Sequence, residues 1–259
     1  MNTLVFDIET VPDVALGRRL HGLDGLTDEQ VAKGMFALRR QQSGGEFLAH
    51  EQHRVVAISC VLRSNDTLKV WSIGDLEAPE SELVQRFFDG IEKLTPSLVS
   101  WNGGGFDLPV LHYRALLHGI QAPRYWEVGD EDTSFRYNNY LGRFHWRHLD
   151  VMDVLSGYQN RARASLADTA CLLGLPGKMG FHGSQVWDAY QAGNLVGIRQ
   201  YCETDVLNTY LIYLRFELMR ARMHRERYAE EVERLKVYLR AGQGQPHFAE
   251  FLEKWEKPA

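Results

Sequence analysis

The first apolar segment of the chain carries two acidic residues that are separated by a single apolar residue. They stand in the run Phe6-Asp7-Ile8-Glu9, which follows three apolar or β-branched residues and reads as the end of a strand over Thr3–Ile8. Because alternate side chains of a strand point to one face about 6.5 Å apart, both carboxylates would lie on the same side. The fold must therefore hold two acids side by side at the end of a mostly buried strand.

Two neighbouring carboxylates require some form of charge compensation. Like charges 4 Å apart repel by roughly 1–4 kcal/mol, depending on the effective dielectric constant. A divalent cation between Asp7 and Glu9 would remove this cost, and Mg²⁺ or Mn²⁺ prefers hard oxygen ligands of this kind. The alternative is an exposed strand end whose acids are simply solvated.

The rest of the pattern predicts an α/β fold built on a mixed sheet. Two β-rich runs, Val55–Leu62 and Leu68–Ile73, are joined by a hairpin at residues 63–66, and Ser97–Trp101 is a further short strand. A helical pattern lies between the last two strands. Antiparallel strands followed by a β-α-β crossover place the first strand centrally, beside the fourth. Residues 121–147 show no clean period and are predicted to be loop with short strands.

Helical segments flank these strands, and we expect one domain over residues 1–259. Residues 12–50 look like a helical insertion, in which Thr27 and Gln30 form a capping box for a helix to about Arg40. Asp150 precedes a short helix and is expected to cap it. A long helix begins near Leu195, and a helical C-terminal extension is expected at about 220–259.

Composition excludes some classes of protein. A net charge of −5 argues against a protein that coats polyanions in general, although one local groove could still bind nucleic acid. The three cysteines lie in apolar segments without metal-ligand spacing and are expected to be buried and reduced. No apolar run has the length of a membrane span, and the N-terminal residues lack a signal-peptide pattern, so a cytoplasmic protein is expected.

A second candidate segment follows the fourth strand. It reads Asn102-Gly103-Gly104-Gly105-Phe106-Asp107, and its glycines permit a tight turn and close approach to a ligand. Asp107 stands at a strand-to-helix junction, where open α/β sheets bind ligands. A helix cap is the alternative role for this aspartate. The segment lacks the lysine and hydroxyl residue of a phosphate-binding glycine loop.

A third candidate pair lies in the helix that begins near Leu195. Tyr201 and Asp205 are four residues apart, so they share one helical face about 6 Å along the axis. Taken singly, a tyrosine here is more often a half-buried core residue and an aspartate a solvated acid.

Together these acids and the tyrosine resemble the proofreading-type 3′–5′ exonucleases of the ribonuclease H-like fold. Within this group, the motifs are most similar to the exonuclease domain of family-B DNA polymerases and to stand-alone bacterial exonucleases that resemble it. The resemblance spans about residues 3–215. A sister group of these exonucleases has histidine at the position of Gln200. Because this chain has glutamine there and a tyrosine at Tyr201, it resembles the group that uses tyrosine. The segment that follows is expected to be too short for a polymerase domain.

The resemblance implies a metal-dependent 3′–5′ exonuclease acting on the 3′ end of single-stranded nucleic acid, with DNA favoured over RNA and the choice between them left open. It implies two divalent cations, Mg²⁺ or Mn²⁺, held by Asp7, Glu9, Asp107 and Asp205, with Tyr201 orienting the attacking water. The alternative is a nucleic-acid-binding module that has lost catalysis. Aspartate-nucleophile phosphatases share the first motif superficially, but their second aspartate, lysine and paired aspartates are not matched.

Substrate contacts are predicted from aromatic and basic residues near the motifs. Trp101, Asn102 and Phe106 lie in or beside the second motif, where the two aromatic rings could stack on the terminal base, with core packing as the alternative. Arg143 and Arg147 belong to a segment that interleaves basic and aromatic residues, as surfaces that bind single strands do. Protein partners are not predicted.

Overall fold

A computed structural model describes residues 2–65, 67–242 and 245–257 of the chain. At its centre is one five-stranded sheet. The strands are β1 (Asn2–Pro12), β2 (His53–Ser64), β3 (Thr67–Ser72), β4 (Ser97–Ser100) and β5 (His148–Asp150). Asp66, which belongs to the predicted hairpin connection between β2 and β3, lies outside the described residues.

The strand order is β3-β2-β1-β4-β5. β1 pairs antiparallel with β2, and β2 pairs antiparallel with β3, whereas β4 runs parallel to both β1 and β5. Register pairs Val5 of β1 with Val61 on one side and Val99 on the other. The predicted mixed sheet, with the first strand central and the fourth strand beside it, is confirmed.

The central strand extends further than its apolar pattern predicts. β1 continues from the predicted end at Ile8 through Glu9 to Pro12, and its register against β2 shifts between Glu9 and Thr10. Such a bulge bends a strand and increases its twist. Both acids of the first motif therefore lie inside a paired strand, just before its bend.

Eleven α-helices accompany the sheet within the described ranges. They are α1 (Val14–His21), α2 (Asp28–Ser43), α3 (Glu80–Leu94), α4 (Asp107–His118), α5 (Pro123–Trp126), α6 (Val151–Leu155), α7 (Leu166–Leu172), α8 (Val186–Gln191), α9 (Leu195–Met219), α10 (Arg225–Ala241) and α11 (Pro246–Glu256). Phe6 and Ile8 of β1 pack in one core with the apolar faces of α3 and α4. Val5 packs on the opposite face, in a second core with residues of α9, α10 and α11.

Several predicted helix boundaries are confirmed. Thr27 and Gln30 form the capping box at the start of α2, and Gly44 ends that helix in a left-handed conformation. Asp150 accepts a hydrogen bond from the Asp153 N–H, at 3.2 Å, and so caps α6. These boundaries depend on local side-chain chemistry, which is why the sequence predicts them.

Two expectations are wrong. Residues 121–147 contain α5 and a 3₁₀ turn at Thr133–Phe135, but no strand; the fifth strand begins only at His148. Cys171 is exposed, because it lies on the outer side of the short helix α7, whereas Cys60 and Cys202 are buried as expected.

A buried ionic cluster ties the beginning of the 12–50 segment to the body of the fold. The Arg114 guanidinium on α4 contacts Asp13 at 2.6 Å and Glu80 at 2.5 Å. Asp13 also caps α1, and Glu80 accepts a hydrogen bond from the Val55 N–H at 2.6 Å. Paired, hydrogen-bonded charges of this kind fix the relative positions of β1, α1, α3 and α4.

Throughout the described ranges, no helix combines the length and the apolar character needed to cross a membrane.

Candidate active site

The first two acids reach one side of the sheet because of strand alternation. Asp7 and Glu9 lie on the same side of β1 as Val5, the side that α9 covers. Glu9 is buried and Asp7 is half-buried. A carboxylate oxygen of each and the Cys202 sulfur all lie within 4.8 Å of one another. The predicted proximity of the two carboxylates is therefore seen in the structure.

The third acid comes from the start of α4. This helix begins at Asp107 itself, at the predicted junction between strand and helix. Asp107 does not cap it, since Phe106 occupies the cap position without a side-chain hydrogen bond. Instead, Asp107 Oδ1 accepts a hydrogen bond from the Ile8 N–H at 3.1 Å. This bond places a buried carboxylate beside the backbone between Asp7 and Glu9.

The fourth acid and the tyrosine come from the first turns of α9. The Tyr201 side chain lies close enough to the Asp205 carboxylate, one turn further along the helix, for its hydroxyl to lower the pKa of Asp205. The Tyr201 ring also packs against Phe181, with ring centroids 4.9 Å apart. Cys202 and Val206 on the same helix belong to buried clusters. Apolar contacts of α9 therefore fix the helix against the strand that carries the other acids.

The four carboxylates raise one another's affinity for protons. Burial raises the pKa of Asp7 and of Glu9 well above the usual range, and the charges of Asp107 and Asp205 raise both further. Burial also raises the pKa of Asp107 to about 7 and that of Asp205 to about 6. These directions are those expected for carboxylates gathered in a poorly solvated place.

Little positive charge within the protein compensates for this cluster. Across the described ranges, none of these four carboxylates forms an ion pair, whereas other buried acids such as Glu231 and Asp153 do. The exposed Lys178 lies close enough for its charge to lower the pKa of Glu9 and of Asp205. The arrangement is thus a set of hard oxygen ligands with little compensating charge, which is the composition of a site that could hold a hard divalent cation.

A cysteine lies among the acids. The Cys202 sulfur lies 3.4 Å from the Asp7 carbonyl oxygen and 3.6 Å from Asp7 Oδ2, and its thiol can donate to either. Burial, followed by the charges of Asp7 and Glu9, raises the pKa of this thiol well above its ordinary value. The neutral thiol is therefore a weak donor that helps orient Asp7.

The turn after β4 is held by a fifth acid. Asp150 accepts hydrogen bonds from the backbone N–H groups of Asn102 and Gly104, each at 3.0 Å. A Cβ on Gly103 would lie 2.5 Å from the Ser100 Cβ, so only glycine fits there. These contacts set the entry of the chain into α4 and hence the position of Asp107.

A groove of about 660 Å³ begins at Glu9 and runs along the end of the central strand. We call it the β1 groove. Its walls come from β1, from residues 36–53, from the second motif and from residues 178–188, with Phe47, Phe106, Lys178 and Trp187 among the lining residues. Of the predicted substrate-contact residues, Phe106 lies here, half-buried and packed against His53 with centroids 5.0 Å apart.

A second groove of about 530 Å³ lies on the other side of the second motif. Gly104, Gly105, Arg143 and Arg163 are among its lining residues. Arg143 Nε donates to Asp153 Oδ2 at 3.0 Å, and its side chain remains about half exposed. A nucleic-acid contact for Arg143 stays a prediction.

The other predicted contact residues lie in neither groove. Trp101 is half-buried and packs against the core that includes Val5. The Arg147 guanidinium lies 3.8 Å above the centre of the Phe135 ring, and its Nε donates to the Asn138 carbonyl oxygen. Asn102 uses its backbone in the turn, at a φ of 66°. The contacts seen for Trp101 and Arg147 are those of packing residues.

Sequence reasoning did not find Lys178 or Phe47, and it gave Asp150 only a capping role. Lys178 lies in a glycine-rich stretch, and Phe47 follows Gly44-Gly45, so neither shows a periodic pattern. Their placement comes from tertiary packing. The adjacency of Cys202 to Tyr201 was visible, but its contact with Asp7 depends on how α9 docks on β1.

Comparison with known proteins gives a family match and a structural likeness. A family described as a predicted 3′–5′ exonuclease related to the exonuclease domain of PolB matches residues 45–255. The family B DNA polymerase from the hyperthermophilic archaeon Pyrobaculum calidifontis is similar at 16% identity and a TM-score of 0.48, over 85% of this chain and 24% of the polymerase chain. The chain therefore spans about a quarter of the length of that polymerase. None of the curated proteins matches the chain. The chain belongs to the family of predicted 3′–5′ exonucleases related to the PolB exonuclease domain.

Proposed function

We propose that this protein is a metal-dependent 3′–5′ exonuclease that removes nucleotides from the 3′ end of single-stranded nucleic acid, with DNA as its main substrate. The observation that carries the proposal is the convergence of Asp7, Glu9, Asp107 and Asp205, four acids from three distant segments, with no ion pair to any of them in the described ranges. Membership in the exonuclease family gives the direction of digestion.

The donor set fits a pair of hard divalent cations. All four side chains offer carboxylate oxygens, and their raised pKa values show that each negative charge is poorly compensated by the protein. Asp7, Glu9, Asp107 and Asp205 are the residues that would hold these ions. When bound, Mg²⁺ or Mn²⁺ supplies Lewis-acid activation of water and neutralises charge on the phosphate.

Tyr201 orients the attacking water and does not take its proton. Burial, followed by the charges of Asp205, Glu9 and Asp7, raises the pKa of this phenol far above its ordinary value. A group that stays protonated at neutral pH cannot be a general base there. Its protonated hydroxyl, which lies beside Asp205, can donate one hydrogen bond and still accept one from a water molecule.

Lys178 supplies positive charge at the open side of the cluster. Its side chain is exposed, and its charge acts on both Glu9 and Asp205. A phosphate that enters next to Glu9 would meet this ammonium group. We assign Lys178 to holding the substrate phosphate, which would increase affinity more than it would change the chemical step.

Digestion of a labelled oligonucleotide tests the proposal. With a 5′-labelled single strand and Mg²⁺ or Mn²⁺, we expect a ladder of products shortened one nucleotide at a time from the 3′ end. Chelation of the metal or Asp7→Asn should abolish the ladder, while Asp89→Asn, an exposed acid on α3, should leave it unchanged. Cleavage that survives Asp7→Asn would exclude this mechanism, and binding without cleavage would favour a non-catalytic module.

A further inference from the structure

The β1 groove opens directly from the acid cluster. Glu9 lines it, so a molecule that fills the groove also touches one of the carboxylates assigned to the metal. Lys178 lines the same end. A phosphate at this end would carry its attached nucleoside into the rest of the groove.

Away from Glu9, one wall of the groove is aromatic and uncharged. Phe47 packs against Phe106 with centroids 5.1 Å apart and against His53 with centroids 5.3 Å apart. Burial lowers the pKa of His53 to about 4, so its ring is neutral near pH 7. A neutral, flat wall of this kind favours an uncharged planar group rather than a second phosphate.

Phe47 is exposed, although its backbone is well fixed. Its side chain is 61% exposed, whereas the next residue, Leu48, is only 2% exposed and packs with Val31 and Met35 of α2. The Phe47 carbonyl accepts a hydrogen bond from Arg39 Nε at 2.8 Å. A large aromatic ring held in this way at the mouth of a groove is preorganised for stacking, because little conformational entropy remains to be lost.

A further aromatic side chain lines the groove. Trp187 of α8 is half-buried and stacks with Tyr190 at a centroid distance of 6.0 Å. The groove lining therefore combines aromatic rings with charged groups, which are Lys178 and the acids Glu9, Glu46 and Asp188. The rings suit the base of a single nucleotide, and Lys178 suits its phosphate.

We propose that Phe47, together with Phe106, stacks on the base of the 3′-terminal nucleotide. The 12–50 segment is then part of the substrate-binding site, since α2 and its following loop exist to place this ring. The inference rests on the proposed exonuclease function and adds the residue that recognises the terminal base. Stacking is tolerant of base identity, so all four bases should bind with similar affinity.

Binding of a reaction product isolates the contribution of the base. In the presence of Mn²⁺, the affinity for deoxyadenosine 5′-monophosphate is compared with that for deoxyribose 5-phosphate, which lacks the base, by isothermal titration calorimetry. We expect the wild-type protein to prefer the nucleotide about tenfold, from the usual strength of base–aromatic stacking. Phe47→Ala should lose most of this preference, and Phe47→Trp should retain it.

Leu20→Ala is the matched control, because Leu20 is an exposed apolar residue of α1, 52% exposed, and does not line the groove. It should keep the wild-type preference. Oligonucleotide digestion is run on the same variants, and Phe47→Ala should raise KM about tenfold with little change in kcat. If the wild-type protein digests DNA but Phe47→Ala leaves both KM and the base preference unchanged, the inference is wrong and the exonuclease function stands. If the wild-type protein digests nothing, both proposals fail.

Discussion

Asp107 Oδ1 accepts the backbone N–H of Ile8 at 3.1 Å, so the second motif is bonded to the strand residue that separates the two acids of the first motif. The two residues are 99 positions apart in the sequence. This bond connects the start of α4 to the middle of β1, and it is buried. The carboxylates of Asp7, Glu9 and Asp107 are therefore held by hydrogen-bonded backbone of a strand and a helix, which is what a preorganised metal site requires.

The acid cluster should destabilise the metal-free protein as pH rises. The pKa of Asp107 is about 7 in the fold, above its unfolded value near 4, so the native state binds the extra proton between these values. The stabilisation of the fold that the protonated Asp107 carboxyl contributes is complete below pH 4 and is lost as pH rises toward 7. Asp107→Asn keeps the acceptor for Ile8 and removes the charge.

We therefore expect Asp107→Asn to raise Tm relative to the wild-type protein in chelator at pH 8, and to raise it much less at pH 5. Differential scanning fluorimetry at both pH values measures this difference. Millimolar Mn²⁺ should raise the wild-type Tm, more at pH 8 than at pH 5, because the metal replaces protons on the same oxygens. If Asp107→Asn changed Tm by the same amount at pH 5 and at pH 8, the assignment of buried, mutually repelling acids would be contradicted.

Removal of the Tyr201 hydroxyl should slow the chemical step without weakening substrate binding. Tyr201→Phe keeps the packing against Phe181 but loses the hydroxyl beside Asp205 that we assign to orienting the attacking water. We expect kcat to fall about 10²-fold, in the range found for positioned groups that act on a reacting water, while KM changes little.

Tyr210→Phe is the control on the same helix, because its hydroxyl contacts Glu231 and not the acid cluster. Its kcat should equal that of the wild-type protein. Single-turnover kinetics on one oligonucleotide measures both variants. A Tyr201→Phe enzyme with wild-type kcat would remove this tyrosine from the mechanism.

Asp150 should act as a positioning residue for Asp107. Asp150→Ala leaves the N–H groups of Asn102 and Gly104 without their acceptor. Because both hydrogen bonds are only partly buried, the cost should lie toward the lower end of the range of about 1–3 kcal/mol for an unpaired donor. We expect a lower free energy of unfolding and a lower kcat, since the turn that leads into α4 loosens.

The conservative variant distinguishes positioning from metal binding. Asp150→Asn retains one acceptor oxygen, so it should recover part of the stability and of kcat, and its Mn²⁺ affinity should stay close to that of the wild-type protein. Urea unfolding and calorimetric titration provide the two measurements. A large loss of Mn²⁺ affinity in Asp150→Asn would mean that Asp150 is itself a ligand.

The buried Arg114 cluster should be essential for stability but not for chemistry. Arg114→Ala would leave Asp13 and Glu80 buried with less compensation, and losing one partner of a buried ion pair costs about 3–5 kcal/mol. Urea unfolding should show this loss. Arg86→Ala, which breaks an exposed pair with Glu82 on α3, should cost less than about 1 kcal/mol. Equal effects of the two substitutions would contradict the buried role of Arg114.

The sheet and the long helix could be predicted because their signals are local and periodic. β2 and β3 read as apolar, β-branched runs around a turn, and the spacing of Tyr201 and Asp205 follows directly from helix geometry. The first strand was predicted too short. Thr10 and Pro12 break the apolar pattern, and the bulge after Glu9, which lets the strand continue, has no signature in a single sequence.

Other parts of the site depend on tertiary contacts that no local pattern records. β5 has only three residues, and its strand character comes from pairing with β4. Phe47 and Lys178 lie in loops, and they meet Glu9 only because the 12–50 segment and the segment before α8 close over the end of β1. The exposure of Cys171 likewise follows from the way α7 packs, since its sequence neighbours are apolar.

The location of bound Mn²⁺ tests the central claim most directly. A crystal of the wild-type protein soaked in Mn²⁺ is measured above and below the manganese absorption edge, and the anomalous difference density locates the ions. We expect one or two peaks among the carboxylates of Asp7, Glu9, Asp107 and Asp205, and their loss in Asp7→Asn. Peaks only elsewhere on the surface, or the same peaks in Asp7→Asn, would contradict the account.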